Sequence, residues 1–184
     1  MTRETIFSRL SELTKKEIRE AVGARRLSYP DIQADSLAIC RRLSELPEFR
    51  ESNVILSYYP LPGEVDLRSL FSGFTDKTFV LPLVEGNGLV LKKYDPLRMH
   101  KGYHGILEPD SEVRTFLPEE IDLALVPAVA YSSDGMRLGR GGGFYDRLLP
   151  QLRCPLIGVA FAFQIFGTIP SEEWDMPVNK VIIP

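Results

Sequence analysis

The apolar run Leu123-Ala-Leu-Val-Pro-Ala-Val-Ala130 leads, four residues on, into Asp134-Gly-Met-Arg-Leu-Gly-Arg-Gly-Gly-Gly-Phe-Tyr-Asp-Arg147. A run apolar at every position suits a strand buried on both faces, and hence a sheet covered on both sides. Five of the nine residues from Gly135 to Gly143 are glycine. Glycine permits positive φ and lets a ligand approach the backbone closely. Successive N–H groups in such a loop can form a concave nest for an anion. Arg137, Arg140 and Arg147 add forked donors suited to phosphate oxygens. Residues 144–149 read as the start of a helix, whose positive end also favours phosphate.

The segment is neither of the common phosphate motifs. No Lys follows Gly143, as a P-loop requires, and Phe144 stands where a dinucleotide fingerprint places its third glycine. The competing reading is a plain surface turn, which needs one or two glycines and no arginine cluster.

Elsewhere helical and strand patterns alternate. Residues 2–27 are amphipathic, but the apolar phase slips between Leu13 and Ile18, where Thr14-Lys-Lys-Glu17 fits a capping box and marks a restart. Ser28-Tyr-Pro-Asp31 starts a second helix. Strands are expected at 53–59, 78–84, 89–94, 123–130, 156–161 and 181–183, with a helix over 67–74, a hairpin turn at 85–88 and a loop-rich stretch over 95–117. Helices between apolar strands predict a single α/β domain over residues 1–184, three α/β/α layers around a mainly parallel sheet. Ligands of such sheets bind beyond the carboxyl ends of the strands, where the glycine loop lies.

Several side chains could carry chemistry there. Glu64, in Tyr58-Tyr-Pro-Leu-Pro-Gly-Glu-Val-Asp66, sits just past a strand end and could accept N–H donors of a heterocycle. Its alternative is capping of the 67–74 helix, a role that suits Asp66 better. Asp146 could hold Mg²⁺ against nucleotide phosphates or complement a helix dipole. Asp175 is a second acidic candidate or a turn residue. Lys15 and Arg19 are like charges at i,i+4, a pairing that a bound phosphate would reward; the alternative, and the default for such residues, is a solvated surface. His100 and His104 have no third metal ligand and read as loop residues lining a site. No Ser-His-Asp or Cys-His arrangement is present.

Composition narrows the class. The net charge of −3 argues against a general nucleic-acid binder. The first 42 residues carry nine Lys/Arg against six Asp/Glu, so they are +3 and the remainder −6, a balance that suits a small anionic ligand and, equally, a solvated helix face. Two distant cysteines, Cys40 and Cys154, suggest a reduced intracellular chain without structural zinc. No apolar stretch reaches the length of a membrane span or forms a signal peptide, so a cytoplasmic location is expected.

On these residues the chain resembles the 5-formyltetrahydrofolate cyclo-ligases, also called 5,10-methenyltetrahydrofolate synthetases. The resemblance covers about residues 15–184 and is most specific over Asp122–Arg147. Supporting blocks are Lys15-x-x-x-Arg19, 59–66, Gly105-Ile-Leu-Glu-Pro109, Ala160-Phe-Ala-Phe-Gln164 and 169–179. Residues 1–14 precede it as an extension without an assigned role. Two positions depart from the pattern: Gly142 stands where some members carry Lys, and Phe144 where many carry Tyr.

The resemblance implies a fold similar to that of sugar-phosphate isomerases and CoA transferases. It implies ATP- and Mg²⁺-dependent cyclisation of 5-formyltetrahydrofolate to 5,10-methenyltetrahydrofolate, with release of ADP and phosphate. By match, Lys15, Arg19, Arg137, Leu138, Gly139, Arg140, Gly141, Gly142, Gly143, Phe144 and Tyr145 would bind ATP. Tyr59, Glu64, Arg140, Gly141, Gly142, Gly143 and Phe144 would bind the folate. Asp146 and Asp175 would bind Mg²⁺, and Arg140 and Tyr145 would act in catalysis. The partners implied are these small molecules, with no nucleic acid and no membrane, for a monomer or small oligomer. The alternative is a sugar-phosphate isomerase or CoA-transferase-like enzyme on the same fold, whose chemistry needs a committed carboxylate base and no ATP.

Overall fold

The computed structural model describes residues 13–102 and 105–184. The first described helix, α1 (Lys15–Leu27), starts where the capping box placed it. Glu17 N–H donates to Thr14 Oγ1 at 3.3 Å, and Thr14 N–H donates back to Glu17 Oε2 at 2.8 Å. The expected helical stretch before Thr14 lies, but for Leu13, outside the described residues. Helix α2 (Ile32–Glu45) is capped by Asp31, which accepts from Ala34 N–H at 2.9 Å. Pro47 opens the short α3 (Pro47–Glu51).

The chain then enters a seven-stranded sheet. β1 (Val54–Leu56) is followed by α4 (Arg68–Gly73), β2 (Thr78–Glu85) and β3 (Gly88–Lys93). Asp66 accepts the Arg68 N–H at 3.0 Å, as favoured for the start of α4. β2 and β3 form the expected hairpin, with Gly86 at φ +57° and Glu85 opposite Gly88. The stretch expected to be loop-rich carries three short strands: β4 (Met99–Lys101), its antiparallel partner β5 (Leu107–Pro109), and β6 (Thr115–Phe116) on the edge of the large sheet. β7 (Leu123–Val126), β10 (Leu156–Val159) and β12 (Lys180–Ile182) complete that sheet, in the order β12-β10-β7-β1-β2-β3-β6. The first five are parallel and the last two join antiparallel.

Strand alternation separates two cores. Ile55, Phe79, Leu81, Leu123, Leu125, Ile157 and Val159 face α2, α3 and α4. Leu56, Val80, Ala124, Val126 and Leu156 face the opposite layer, which contains Leu148, Leu149 and Leu152. The result is a three-layer α/β/α arrangement with a mainly parallel sheet. Gly158, between Ile157 and Val159, falls on the second face by alternation, and Tyr131 fills the space beside it: a Cβ there would meet Tyr131 Cζ at 2.6 Å.

The 123–130 run is not one strand. The backbone leaves the large sheet after Val126, where Pro127 has no N–H for the ladder. It resumes as β8 (Ala130–Ser132), which pairs antiparallel with β9 (Arg137–Leu138) and parallel with β11 (Ile165–Phe166) in a three-stranded sheet. Ile18 and Val22 of α1 pack on this sheet with Ala130, Leu138, Phe166 and Ile169. That contact carries the α1 cations to the glycine loop.

Candidate active site

The glycines divide between two tasks. Gly135, at φ +87°, lies in the turn between β8 and β9, where a Cβ would meet Val178 O at 2.6 Å. Gly139 to Gly143 form the loop proper, so it follows a hairpin rather than the buried strand directly. Gly143, at φ +67°, ends the loop and caps α5 (Phe144–Leu148). That helix has five residues, too few for a substantial macrodipole. Anion binding here therefore falls to the loop N–H groups and the neighbouring cations.

A cleft of about 590 Å³ opens at the carboxyl ends of β1 and β7. Lys15, Arg19, Tyr59, Glu64, the segment 137–146 and Asp175 all line it. Every residue singled out for ATP, folate or metal thus borders one cavity, although α1, the β1 exit, the glycine loop and the 169–179 segment are remote in sequence.

The polar groups are cross-linked. Arg19 Nε donates to Gly139 O at 3.1 Å, fixing the loop to α1. Arg140 Nη2 donates to Glu64 Oε1 at 2.7 Å, and Glu64 Oε2 accepts from Leu61 N–H at 3.0 Å. Glu64 therefore closes its own turn and does not cap α4. Lys15 Nζ lies 3.0 Å from Asp175 Oδ2, which also accepts from Glu172 N–H at 2.8 Å. Burial alone would push the Asp175 carboxyl up, but that N–H and the Lys15 ammonium outweigh it and hold its pKa below the usual range. Arg137 pairs with Asp146 and lies over the Tyr145 ring, 5.4 Å from its centroid. Arg147 faces away from this network, donating to Asn87 O and Gly142 O.

Two buried polar atoms in this network have no protein partner, Arg137 Nε and the Tyr145 hydroxyl. Unpaired buried donors are rare in folded proteins, and both of these belong to residues that line the cleft. Burial raises the pKa of the Tyr145 phenol well above its ordinary value, so it stays protonated and can only donate or accept as a neutral hydroxyl.

The formal charges decide what the cleft can accept. Four cations (Lys15, Arg19, Arg137, Arg140) face four carboxylates (Glu64, Glu108, Asp146, Asp175), a sum of zero. A bare triphosphate would meet as much repulsion as attraction, whereas a divalent cation on it offsets half its charge. Mg²⁺ is held by one or two carboxylates together with substrate phosphates. Asp146 and Asp175 fit that donor set. Among the described residues no group of three or more His, Cys, Asp or Glu forms a protein-only metal site.

Three further aromatic or charged residues line the cleft without a role expected from the sequence. Tyr58 precedes the chosen Tyr59, Glu108 lies inside the block 105–109 without having been given a role, and Trp174 precedes Asp175. His100 was expected in a loop lining a site. It lies instead on β4, exposed and outside the cleft, because the 95–117 stretch forms strands. His104 is outside the described residues. Cys40 and Cys154 are both free, and no described helix is long and apolar enough to cross a membrane.

The profile of the 5-formyltetrahydrofolate cyclo-ligase family matches residues 11–184. The 5-formyltetrahydrofolate cyclo-ligase of Haemophilus influenzae is 30% identical over 179 residues, covering 92% of this chain and 95% of that protein. The NMR structure of Aquifex aeolicus 5,10-methenyltetrahydrofolate synthetase superposes with a TM-score of 0.82 at 37% identity, covering 92% of this chain and 89% of its own. The 5,10-methenyltetrahydrofolate synthetase of Mycoplasma pneumoniae gives 0.76 at 26%, covering 93% and 99%.

Proposed function

The chain belongs to the 5-formyltetrahydrofolate cyclo-ligase family, a family of ligase enzymes, and from that premise we propose that its cleft joins ATP and 5-formyltetrahydrofolate and closes the folate ring in the cytoplasm. The observation that carries this reading is the convergence of Lys15, Arg19, Glu64, the 137–146 loop and Asp175 on one cavity. Two substrates that must react need one site.

A formyl amide is a poor electrophile and its oxygen a poor leaving group. The formyl oxygen attacks the γ-phosphorus of ATP; the new O–P bond forms as the bond to the β-phosphate oxygen breaks, and ADP departs. N10 of the folate then attacks the formyl carbon and loses its proton. The C–O bond breaks, phosphate leaves, and 5,10-methenyltetrahydrofolate remains. Positioning and charge neutralisation account for most of such catalysis, and no covalent nucleophile is needed.

The residues take separable roles. Glu64 and Tyr59 orient the pterin. The 139–143 N–H groups, with Lys15, Arg19 and Arg137, hold the phosphates. Arg140, already at Glu64, stands between the two substrates and stabilises charge on the transferring phosphoryl group. Tyr145 donates from the cleft floor. Asp146 and Asp175 would hold Mg²⁺, which neutralises phosphate charge when bound. Isomerase or CoA-transferase chemistry finds less support, since Glu64, Asp146 and Asp175 each lie in an ion pair rather than standing as a free base.

Isotopic labelling tests the chemistry. With ¹⁸O in the formyl group, the released phosphate should carry the label in proportion to product. Unlabelled phosphate would rule out formyl-oxygen phosphorylation.

A further inference from the structure

Trp174 borders the cleft with two thirds of its surface exposed: its relative exposure is 67%, and among the described residues it is the one aromatic in the set of exposed large hydrophobics. An indole left this open forgoes a large apolar contact unless something covers it. Its backbone, by contrast, is anchored. Glu172 N–H donates to Asp175 Oδ2 at 2.8 Å, Asp175 N–H returns to Glu172 O at 3.0 Å, and Lys15 Nζ ties Asp175 to α1. The turn holds the ring at the mouth of the cleft while leaving its face open.

We propose that Trp174 is the stacking platform for the purine of the nucleotide, and so a positioning residue for ATP. This rests on the function proposed above. The ring is the immediate neighbour of Asp175, which is tied to Lys15, and both are assigned to the phosphate end. The γ-phosphate must reach inward to the folate near Arg140 and Glu64, so the base end of the same molecule points outward. A planar indole at the mouth meets a purine there without needing its hydrogen-bonding edge. Recognition by stacking tolerates any base with a large π-face. The site should therefore accept GTP with modest loss and discriminate more strongly against pyrimidine triphosphates.

Trp174 is the chain's only tryptophan, so its fluorescence reports on this contact alone. Titrating the wild-type protein with MgATP, without folate, should quench the emission saturably. Inorganic tripolyphosphate with Mg²⁺ should displace ATP without comparable quenching, because it lacks a base. In turnover, Trp174→Ala should raise KM for ATP roughly tenfold or more, the scale of base–aromatic stacking. Trp174→Phe should recover most of that loss, and KM for folate should move far less. Unquenched emission at saturating ATP, or an unchanged KM for ATP in Trp174→Ala, overturns the proposal. A rise confined to KM for folate also overturns it and places the ring against the folate tail. Absence of ATP-dependent turnover by the wild type would instead contradict the underlying reaction, a distinct outcome.

Discussion

Arg140 and Glu64, 76 positions apart in sequence, meet across the cleft with Nη2 2.7 Å from Oε1. The guanidinium assigned to the transferring phosphoryl group is thereby held by the carboxylate assigned to the pterin. Asp146 with Arg137, and Asp175 with Lys15, repeat the pattern: each acid assigned to a ligand is paired with a cation assigned to phosphate. The Arg140 side chain is 55% exposed, so the pair contributes only about 0–1 kcal/mol to stability. Both ends are free to exchange partners when substrates bind.

Arg140→Ala should therefore lower kcat at least about tenfold while leaving the thermal midpoint nearly unchanged, since a preorganised donor at developing charge is worth a few kcal/mol. Steady-state kinetics with both substrates saturating, beside a melting curve, checks this. Near-normal turnover would remove Arg140 from the chemistry.

Glu64→Gln should weaken folate binding by roughly 1.5–3 kcal/mol, about ten- to a hundredfold, because the amide nitrogen donates where the carboxylate accepted. Calorimetry should show ATP affinity changing much less. A fall in ATP affinity instead, or a fall in stability with both ligands bound normally, would reduce Glu64 to its turn with Leu61.

Asp146→Asn should raise the Mg²⁺ concentration needed for half-maximal rate, since it removes a charged oxygen ligand while keeping the shape. It also takes the carboxylate from Arg137, whose side chain is only 5% exposed, so the melting temperature should fall as well. Rates measured well below that temperature separate the effects. An unchanged Mg²⁺ requirement would leave Asp146 as a structural partner of Arg137.

Against the cost of its burial, the Glu172 N–H and the Lys15 ammonium favour the charged form of Asp175, and so make stability depend on acid. The folded-state pKa of Asp175 is depressed, so its contribution is complete above the ordinary carboxylate range and is lost as pH falls through the lowered value. Asp175→Asn should flatten that part of the acid limb in a denaturation series, and leave the difference from wild type constant near neutral pH. An acid limb identical in both proteins would contradict this.

Gly158→Ala tests the packing beneath the site. Its new methyl would sit 2.6 Å from Tyr131 Cζ in a closed core. The expected cost is about 1–3 kcal/mol of stability, read as a lower denaturant midpoint. A neutral result would mean that Tyr131 has room to move.

Much of this was legible because the signals were local. The Thr14–Glu17 capping box, the 85–88 hairpin and the apolar runs of β7 and β10 each act through neighbours in sequence. What escaped depended on tertiary context. The 123–130 run reads as one strand, yet Pro127 ends its part in the large sheet and β8 finds partners in β9 and β11. The 95–117 stretch lacks strong periodicity, and its strands exist through their pairing with each other and with β3. The polar residues of the cleft were accessible through motif blocks. Their pairing was not, because no sequence spacing reports that Arg140 meets Glu64 or Lys15 meets Asp175. Trp174 was overlooked because a single exposed aromatic carries no pattern of its own.

The most direct measurement is absorbance at the methenyl-folate band, with purified protein, 5-formyltetrahydrofolate and Mg²⁺, before and after addition of ATP. The predicted result is no change without ATP and a steady rise with it, one ADP and one phosphate appearing per methenyl product. A rise of equal rate without ATP, or none with it under conditions where the protein is folded and binds folate, would contradict the ATP-driven cyclisation proposed for this cleft.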